Sequence, residues 1–372
     1  MTTDTARRIA AAASDSNAGW ALLSGADSVC YATGHVVSIE TGASPFSGGP
    51  TLALVGADGR TTLITSNTDT VRARAQSDAD VVDYVGFSTA AIDQVSSYAA
   101  AVEAALDGAY VTGPIAVESA SLPAVVSDIL RRRGNTPIDS TMEFARARMI
   151  KTMRELGKLR ASAHVATEAQ RIARQHAYPG VSEIELFGLA RSHAERIAGE
   201  RVAFAGDLIS GATRTAAMAG WPTSRLITEN DIVITDFAPR VGGYWADSCT
   251  TFVCGRPTAD LRKAHTVTRN AIDAGIERAK PGVLIGDLDT AIRSVMRQAG
   301  YDYPHHTGHG IGTSVHEFPR IIPGELTPLQ EGMVILLEPG TYDPRWGGVR
   351  LEWMFEVTAS GLRRLTDFEL DL

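Results

Sequence analysis

The chain has 372 residues and a formal net charge of -8, with 44% hydrophobic and 21% charged residues, enough for two hydrophobic cores in ordinary globular proportions. The acidic balance argues against a nucleic-acid surface, and no apolar run approaches the ~20 residues of a membrane span. Three cysteines, Cys30, Cys249 and Cys254, make no disulfide framework and fit a reducing, cytoplasmic compartment. The Ala-rich start up to Asn17 carries Arg7, Arg8 and Asp15 and is expected to be an amphipathic helix over 4–16 rather than a signal peptide.

Short strands are expected at Trp20–Leu23 and Ser28–Tyr31, then a Gly-, Ser- and Pro-rich surface loop from Gly34 to Pro50. Residues 51–55 and 61–65 flank Asp58-Gly59 and read as a hairpin. Helical patterns follow near 67–75, 90–106 and 121–133, with a strand at Gly113–Glu118 between the last two. The basic run Arg131–Arg133 closes a helix, where it complements the helix dipole. This alternation predicts a compact α/β domain over 1–145. A long charged helix over 146–174 opens the second domain, 146–372. A further helix runs from an N-cap at Ser182 to Ala198, after the break at Pro179-Gly180. Strands are expected at 201–210, 232–253, 333–338 and 350–358, with helices at 258–279 and 286–299. Helices followed by antiparallel strands make this an α+β domain.

The stretch 232–253 reads as two strands joined by a tight turn at Arg240–Gly243. A turn centred between Val241 and Gly242 puts Asp236 directly opposite Asp247, with Cβ atoms ~5 Å apart. Two carboxylates in an apolar strand pair call for a cation between them or a retained proton. Downstream lie three further candidates. Tyr303–Gly312 holds His305, His306 and His309. Pro304 and three glycines rule out a regular helix and leave a loop. Glu338 ends the apolar run 334–338. The strand 349–357 puts Arg350 and Glu352 on one face, Leu351 and Trp353 on the other. Each alone has a bland reading as a strand-end acid, a loop imidazole or a surface pair. Together, four carboxylates and one imidazole make an oxygen-rich set suited to a pair of divalent ions such as Mn²⁺, Co²⁺, Zn²⁺ or Fe²⁺.

The ordered residues Asp236, Asp247, Gly308-His309-Gly310-Ile311-Gly312, Glu338-Pro339-Gly340 and Arg350-Leu351-Glu352 resemble the pita-bread metallopeptidases. That group comprises aminopeptidase P, prolidase and methionine aminopeptidase, with creatinase as a metal-free relative. The segment 27–34 is similar to the N-terminal domain of the prolidase and creatinase branch, and Arg148–Lys151 with Glu155 to its inter-domain helix. The resemblance implies a C-terminal pita-bread domain behind a smaller creatinase-type N-terminal domain. It implies that Asp236 chelates one metal, that His309 and Glu338 bind the other, and that Asp247 and Glu352 bridge both. It further implies that His305 and His316 line the substrate site, that Arg350 orients Asp236 or the substrate, and that the protein is a homodimer acting on a small peptide or amide. Within that scheme Glu338 is the proton carrier and His316 a donor to the developing oxyanion.

Two positions depart from the family pattern. The histidine expected shortly before Pro222-Thr223 would fall at Met218 or Ala219, and no histidine occurs between His193 and His265. Trp353 stands where an Asp often follows the ligand Glu, and its side chain is expected to point away from the metals. Trp221, Trp346 and Tyr342 are candidate apolar pocket walls. The leading expectation is a dinuclear-metal hydrolase of C–N bonds, Xaa-Pro peptidase-like. The alternatives are a small-molecule amidohydrolase or lyase of the creatinase or ectoine-hydrolase kind, and a catalytically silent binding module.

Overall fold

The computed structural model describes residues 3–39 and 46–372, and the chain separates into two compact units, Met1–Arg148 and Met149–Leu372. The expected loop from Gly34 to Pro50 lies partly outside the described residues; its described portions contain no helix or strand.

In the first unit, chain order is α1 (Asp4–Asp15), β1 (Trp20–Leu23), α2 (Ala26–Thr33), β2 (Leu52–Gly56), β3 (Thr61–Ser66), α3 (Thr70–Gln76), β4 (Asp80–Tyr84), α4 (Gln94–Gly108), β5 (Ile115–Val117), α5 (Ala124–Arg132), β6 (Pro137–Asp139) and α6 (Thr141–Ala147). The strands form one mixed sheet in the order β4-β3-β2-β1-β5-β6. Successive side chains of β1 serve opposite faces, as the two-residue strand period requires. Ala21 and Leu23 join a core with α1, α2 and Phe144, while Leu22 joins one with Tyr98, Val102 and Ile129.

Ser28–Tyr31, expected as a strand, belongs to helix α2. All four of its residues are buried, so the run carries no exposed positions from which a strand and a helix could be told apart. The helix is decided from afar. The Glu118 carboxylate accepts hydrogen bonds from the amides of Ser24 and Gly25 (both 2.8 Å) and from the Ser28 hydroxyl (2.5 Å), occupying the donors that a helix start leaves open.

The second unit runs α7 (Met153–His176), α8 (Glu183–Ala198), β7 (Ala203–Ser210), α9 (Ala212–Thr215), β8 (Ile232–Val241), β9 (Tyr244–Trp245), β10 (Cys249–Val253), α10 (Ala259–Arg278), α11 (Ile285–Gln298), β11 (Gly308–Gly310), β12 (Glu317–Ile321), β13 (Val334–Leu337), β14 (Gly340–Asp343), β15 (Gly347–Arg350), β16 (Trp353–Thr358) and β17 (Gly361–Arg364). The expected single helix over 146–174 is two helices, because residues 148–152 leave the helix before Thr152 restarts it. Thr152 and Glu155 form a reciprocal capping box at the head of α7, and Ser182 and Glu185 form one at α8. Two sheets carry the unit, β10-β8-β7 with β9 beside β8, and β12-β11-β13-β16-β17; β14 and β15 form a separate ribbon. An isolated bridge between Cys249 and Glu352 links the first sheet to the segment joining β15 and β16. Helices α10 and α11 supply Ala264, Ile272, Leu288 and Ile292 to one core with Ile335, Leu337 and Phe355. Helices α7 and α8 supply Ala169, Leu186 and Ala190 to a second with Val233 and Phe237.

None of the described helices is long and apolar enough to cross a membrane.

Candidate metal centre

The hairpin that carries both aspartates turns one residue later than expected. Gly242 (φ 54°) and Gly243 (φ 87°) form its two-residue tip, a left-handed pair that only glycine adopts at no steric cost. Val241 therefore pairs with Tyr244, and the same register further down pairs Asp236 with Cys249, not with Asp247. Asp247 lies in the non-strand segment between β9 and β10, and its carboxyl still stands close enough to feel the charge of Asp236. The electrostatic problem survives the correction. Asp247 is held well above the usual carboxylate range by burial first and by the neighbouring Asp236 charge second.

His309 is not on a loop. It is the middle residue of β11, which lies between β12 and β13. The flanking glycines are what allow this. A Cβ on Gly308 would sit 1.9 Å from the carbonyl oxygen of Leu336, and one on Gly310 would sit 2.2 Å from that of Phe318. His309 Nδ1 donates to the Gly310 carbonyl at 2.8 Å, which leaves the lone pair on Nε2 for a ligand. Burial drives its pKa down to about 4, so the imidazole is neutral.

Glu338 follows the last residue of β13, and its Oε1 lies 3.6 Å from His309 Nε2. Glu352 sits between β15 and β16, which are two strands rather than the expected continuous one, and they pair with different neighbours. The break comes just after Arg350, which still pairs with Gly340 in the ribbon, and places Glu352 at the site. Ligand atoms of Asp247, His309 and Glu352, all buried, lie within 4.8 Å of one another. Glu352 is raised well above the usual range by burial and by the charge of Asp247. Burial opposes ionisation of Glu338 too, but the imidazole of His306 beside it holds its carboxyl low. Its Oε1 meets His306 Nε2 at 2.8 Å, in a direction that makes no hydrogen bond, and so is left without one. Converging buried carboxylates, a neutral imidazole with its lone pair free and an orphaned carboxylate oxygen fit a divalent cation.

The remaining expected residues are placed as follows. The Arg350 Nη1 donates to the Met218 carbonyl (2.8 Å), and its Nη2 bonds Asp236. The segment 218–220, where the family histidine would fall, therefore lies against the site, with Met218 at φ 76°. His305 Nδ1 donates to the His306 carbonyl (2.8 Å), so Nε2 is the acceptor for the Tyr342 hydroxyl (3.0 Å). His316 is exposed, and its ring centroid is 4.4 Å from that of His309. The neighbouring Glu317 pairs with Lys151 at 2.6 Å, both side chains buried, and this anchors the loop that carries His316. Trp346 packs edge-on to Tyr301 and lines a polar cavity of about 390 Å³ with Asp260, Lys263 and Asp302. Trp221 is 84% exposed, so its side chain walls no pocket in the chain as described. Trp353 is buried between the guanidinium groups of Arg269 and Arg364 and donates to the Phe368 carbonyl.

Two residues near the site carried no assignment from sequence. His306 groups its ligand atoms with those of His309 and His316 within 4.8 Å. Asp207, on β7, is paired in register with Asp236. The only sequence signal for Asp207 was an acid beside the apolar run Leu208-Ile209.

A model of metallopeptidase family M24 matches residues 153–359, and a model of the creatinase/prolidase N-terminal domain matches residues 6–150. The chain is 34% identical to the Xaa-Pro dipeptidase of Pyrococcus furiosus over 227 residues, 60% of this chain and 65% of that protein, so the match spans just under two thirds of the relative. It is 30% identical to the Xaa-Pro dipeptidase of Pyrococcus horikoshii over 264 residues, 69% of this chain and 74% of that one. The solved prolidase from Pyrococcus horikoshii OT3 aligns over the full length of both chains with a TM-score of 0.82 at 25% identity.

Proposed function

Since the chain belongs to metallopeptidase family M24, we propose that it is a metal-dependent hydrolase of the C–N bond in small Xaa-Pro peptides. One observation carries the reading: the buried ligand atoms of Asp247, His309 and Glu352 converge within 4.8 Å, with Asp236 and Glu338 at their edge. We assign five protein ligands, Asp236, Asp247, His309, Glu338 and Glu352, to two divalent ions, Mn²⁺ first, with Co²⁺, Zn²⁺ or Fe²⁺ also suited to such donors. Bound metal would supply a water acidic enough to attack at neutral pH and a Lewis acid for the scissile carbonyl.

The side chains define the rest. Arg350 holds Asp236 in orientation. Glu338, in reach of His309, takes and returns a proton. His316, the imidazole open to a ligand, donates to the oxyanion as charge develops there. His305 has both ring nitrogens engaged and positions Tyr342 rather than moving a proton itself. The composition and the resemblance carry the further proposal of a cytoplasmic homodimer.

Metal-reconstituted protein is expected to cleave Xaa-Pro dipeptides, and Asp236→Ala to lose that activity by more than about 10²-fold while keeping its circular dichroism spectrum. Protein that binds no metal, or is indifferent to chelator, sinks the proposal. The segment 218–220 brings no imidazole to the site, which favours one second reading: a small-molecule amide as substrate. Metal binding without cleavage of any Xaa-Pro bond would select it.

A further inference from the structure

Asp207 stands beside the centre without belonging to its ligand set. Antiparallel register pairs it directly with Asp236, so the two side chains share one face of the sheet. The backbone is shaped for this approach. The preceding residue, Gly206, has φ 129°, and a Cβ there would lie 1.8 Å from the Asp236 carbonyl oxygen. No other residue lets β7 press so closely on β8.

Asp207 is poorly paid in counter-charge. The one guanidinium in reach is that of Arg350, which already bonds Asp236 with Nη2 and the Met218 carbonyl with Nη1. Its contact with Asp207 is 3.5 Å, the long limit of a hydrogen bond. The side chain remains 19% exposed, so a ligand in the site can reach it. One cation thus serves two anions, Asp207 and Asp236.

We propose that Asp207 is a specificity-determining residue that selects a cationic side chain on the amino-terminal residue of the substrate. This rests on the reading of the centre as a peptide site: in an Xaa-Pro dipeptide, Xaa is the variable position. Lys or Arg there would give Asp207 the charge-assisted bond that Arg350 withholds. Leu would leave it unpaired, and Glu would be repelled.

The test uses metal-loaded full-length protein and two arms. Calorimetry compares L-arginine amide with L-leucine amide, and turnover compares Arg-Pro with Leu-Pro and Glu-Pro. Wild type is expected to prefer the cationic member by about tenfold, the size of a charge-assisted bond discounted for partial exposure. Asp207→Asn should remove the preference at unchanged metal content, and Asp207→Glu should keep part of it. If Asp207→Asn fails to fold, the Asp207→Glu protein and the wild-type ratios decide. No cationic preference in wild type, or a preference that persists in Asp207→Asn, overturns the proposal. If no dipeptide is cut but the amide preference and its loss are seen, the Xaa-Pro reading fails and the role of Asp207 stands.

Discussion

At the scale of single residues, burial sets protonation, and His265 shows it away from the metal centre. It lies on α10, is 8% exposed, and its Nε2 has no hydrogen-bond partner. Burial is the main cause of a pKa lowered to about 4; Asp371 opposes the shift, while Arg269 and Arg174 add to it. The sign follows from linkage. Between about pH 6.5 and 4 the unfolded chain binds a proton that the folded chain refuses. The stabilising contribution is therefore present above pH 6.5 and is lost as pH falls through 4, by up to about 3 kcal/mol. Denaturation curves at pH 7, 5.5 and 4.5 should show His265→Gln losing less stability on acidification than wild type. Equal acid slopes would mean that another group controls the decline. By the same logic the neutral state of His309 belongs to its place on β11, between two strands, rather than to the imidazole itself.

At the scale of elements, the site depends on strands that approach more closely than side chains usually allow. Gly206, Gly308 and Gly310 each face a neighbouring backbone where a Cβ would overlap it. Gly206→Ala combines a left-handed φ with that overlap and should cost more than about 2 kcal/mol while lowering metal content. Gly180 also has a positive φ (104°) but open space around it. Gly180→Ala should cost about 1 kcal/mol and leave metal content alone. Urea midpoints and metal analysis of the pair separate the two effects; equal losses would show that backbone strain, not the close approach, is what matters. Elsewhere the cores forgive sequence ambiguity. Helix α2 forms from a run that also reads as a strand, because Glu118 completes its first turn from a distant strand end.

At the scale of the molecule, the second unit keeps a knot of buried carboxyls that folding alone does not satisfy. Without metal, Asp247 and Glu352 hold their protons well above the usual range. A raised folded-state pKa makes that form's stability fall as pH rises from about 4 toward neutrality. Bound metal replaces those protons. Removing it with a chelator should lower the melting temperature, by the equivalent of about 2.7 kcal/mol at a hundredfold excess of metal over its Kd. The drop should be larger at pH 7.5 than at 5.5. Asp236→Ala should show little shift on chelation. A wild-type melting curve that ignores the chelator would remove the metal from the account of the fold.

The local signals for most elements were legible in the chain. The hairpin at Asp58-Gly59, the cap at Ser182 and the helices over 258–279 and 286–299 follow from turn chemistry and periodicity, which act over a few positions, while the five residues proposed as ligands were picked out by residue type and by the family resemblance. The break in the long helix at 148–152, the helical state of Ser28–Tyr31, the strand at His309 and the split between Arg350 and Trp353 did not. Each is settled by a partner far away in sequence: Met333 and Gly332 at Ile150 and Lys151, Glu118 at α2, the carbonyls of Leu336 and Phe318 at β11, Cys249 at Glu352. The turn at Gly242-Gly243 lies one residue later than expected and so moved the partner of Asp236 by two residues, from Asp247 to Cys249, because the conformational freedom of two glycines outweighed the symmetry of the surrounding pattern. Asp207 is the clearest case. Sequence marks it as an acid in a strand; only the register of β7 on β8 puts it against Asp236, with the Arg350 guanidinium shared between them.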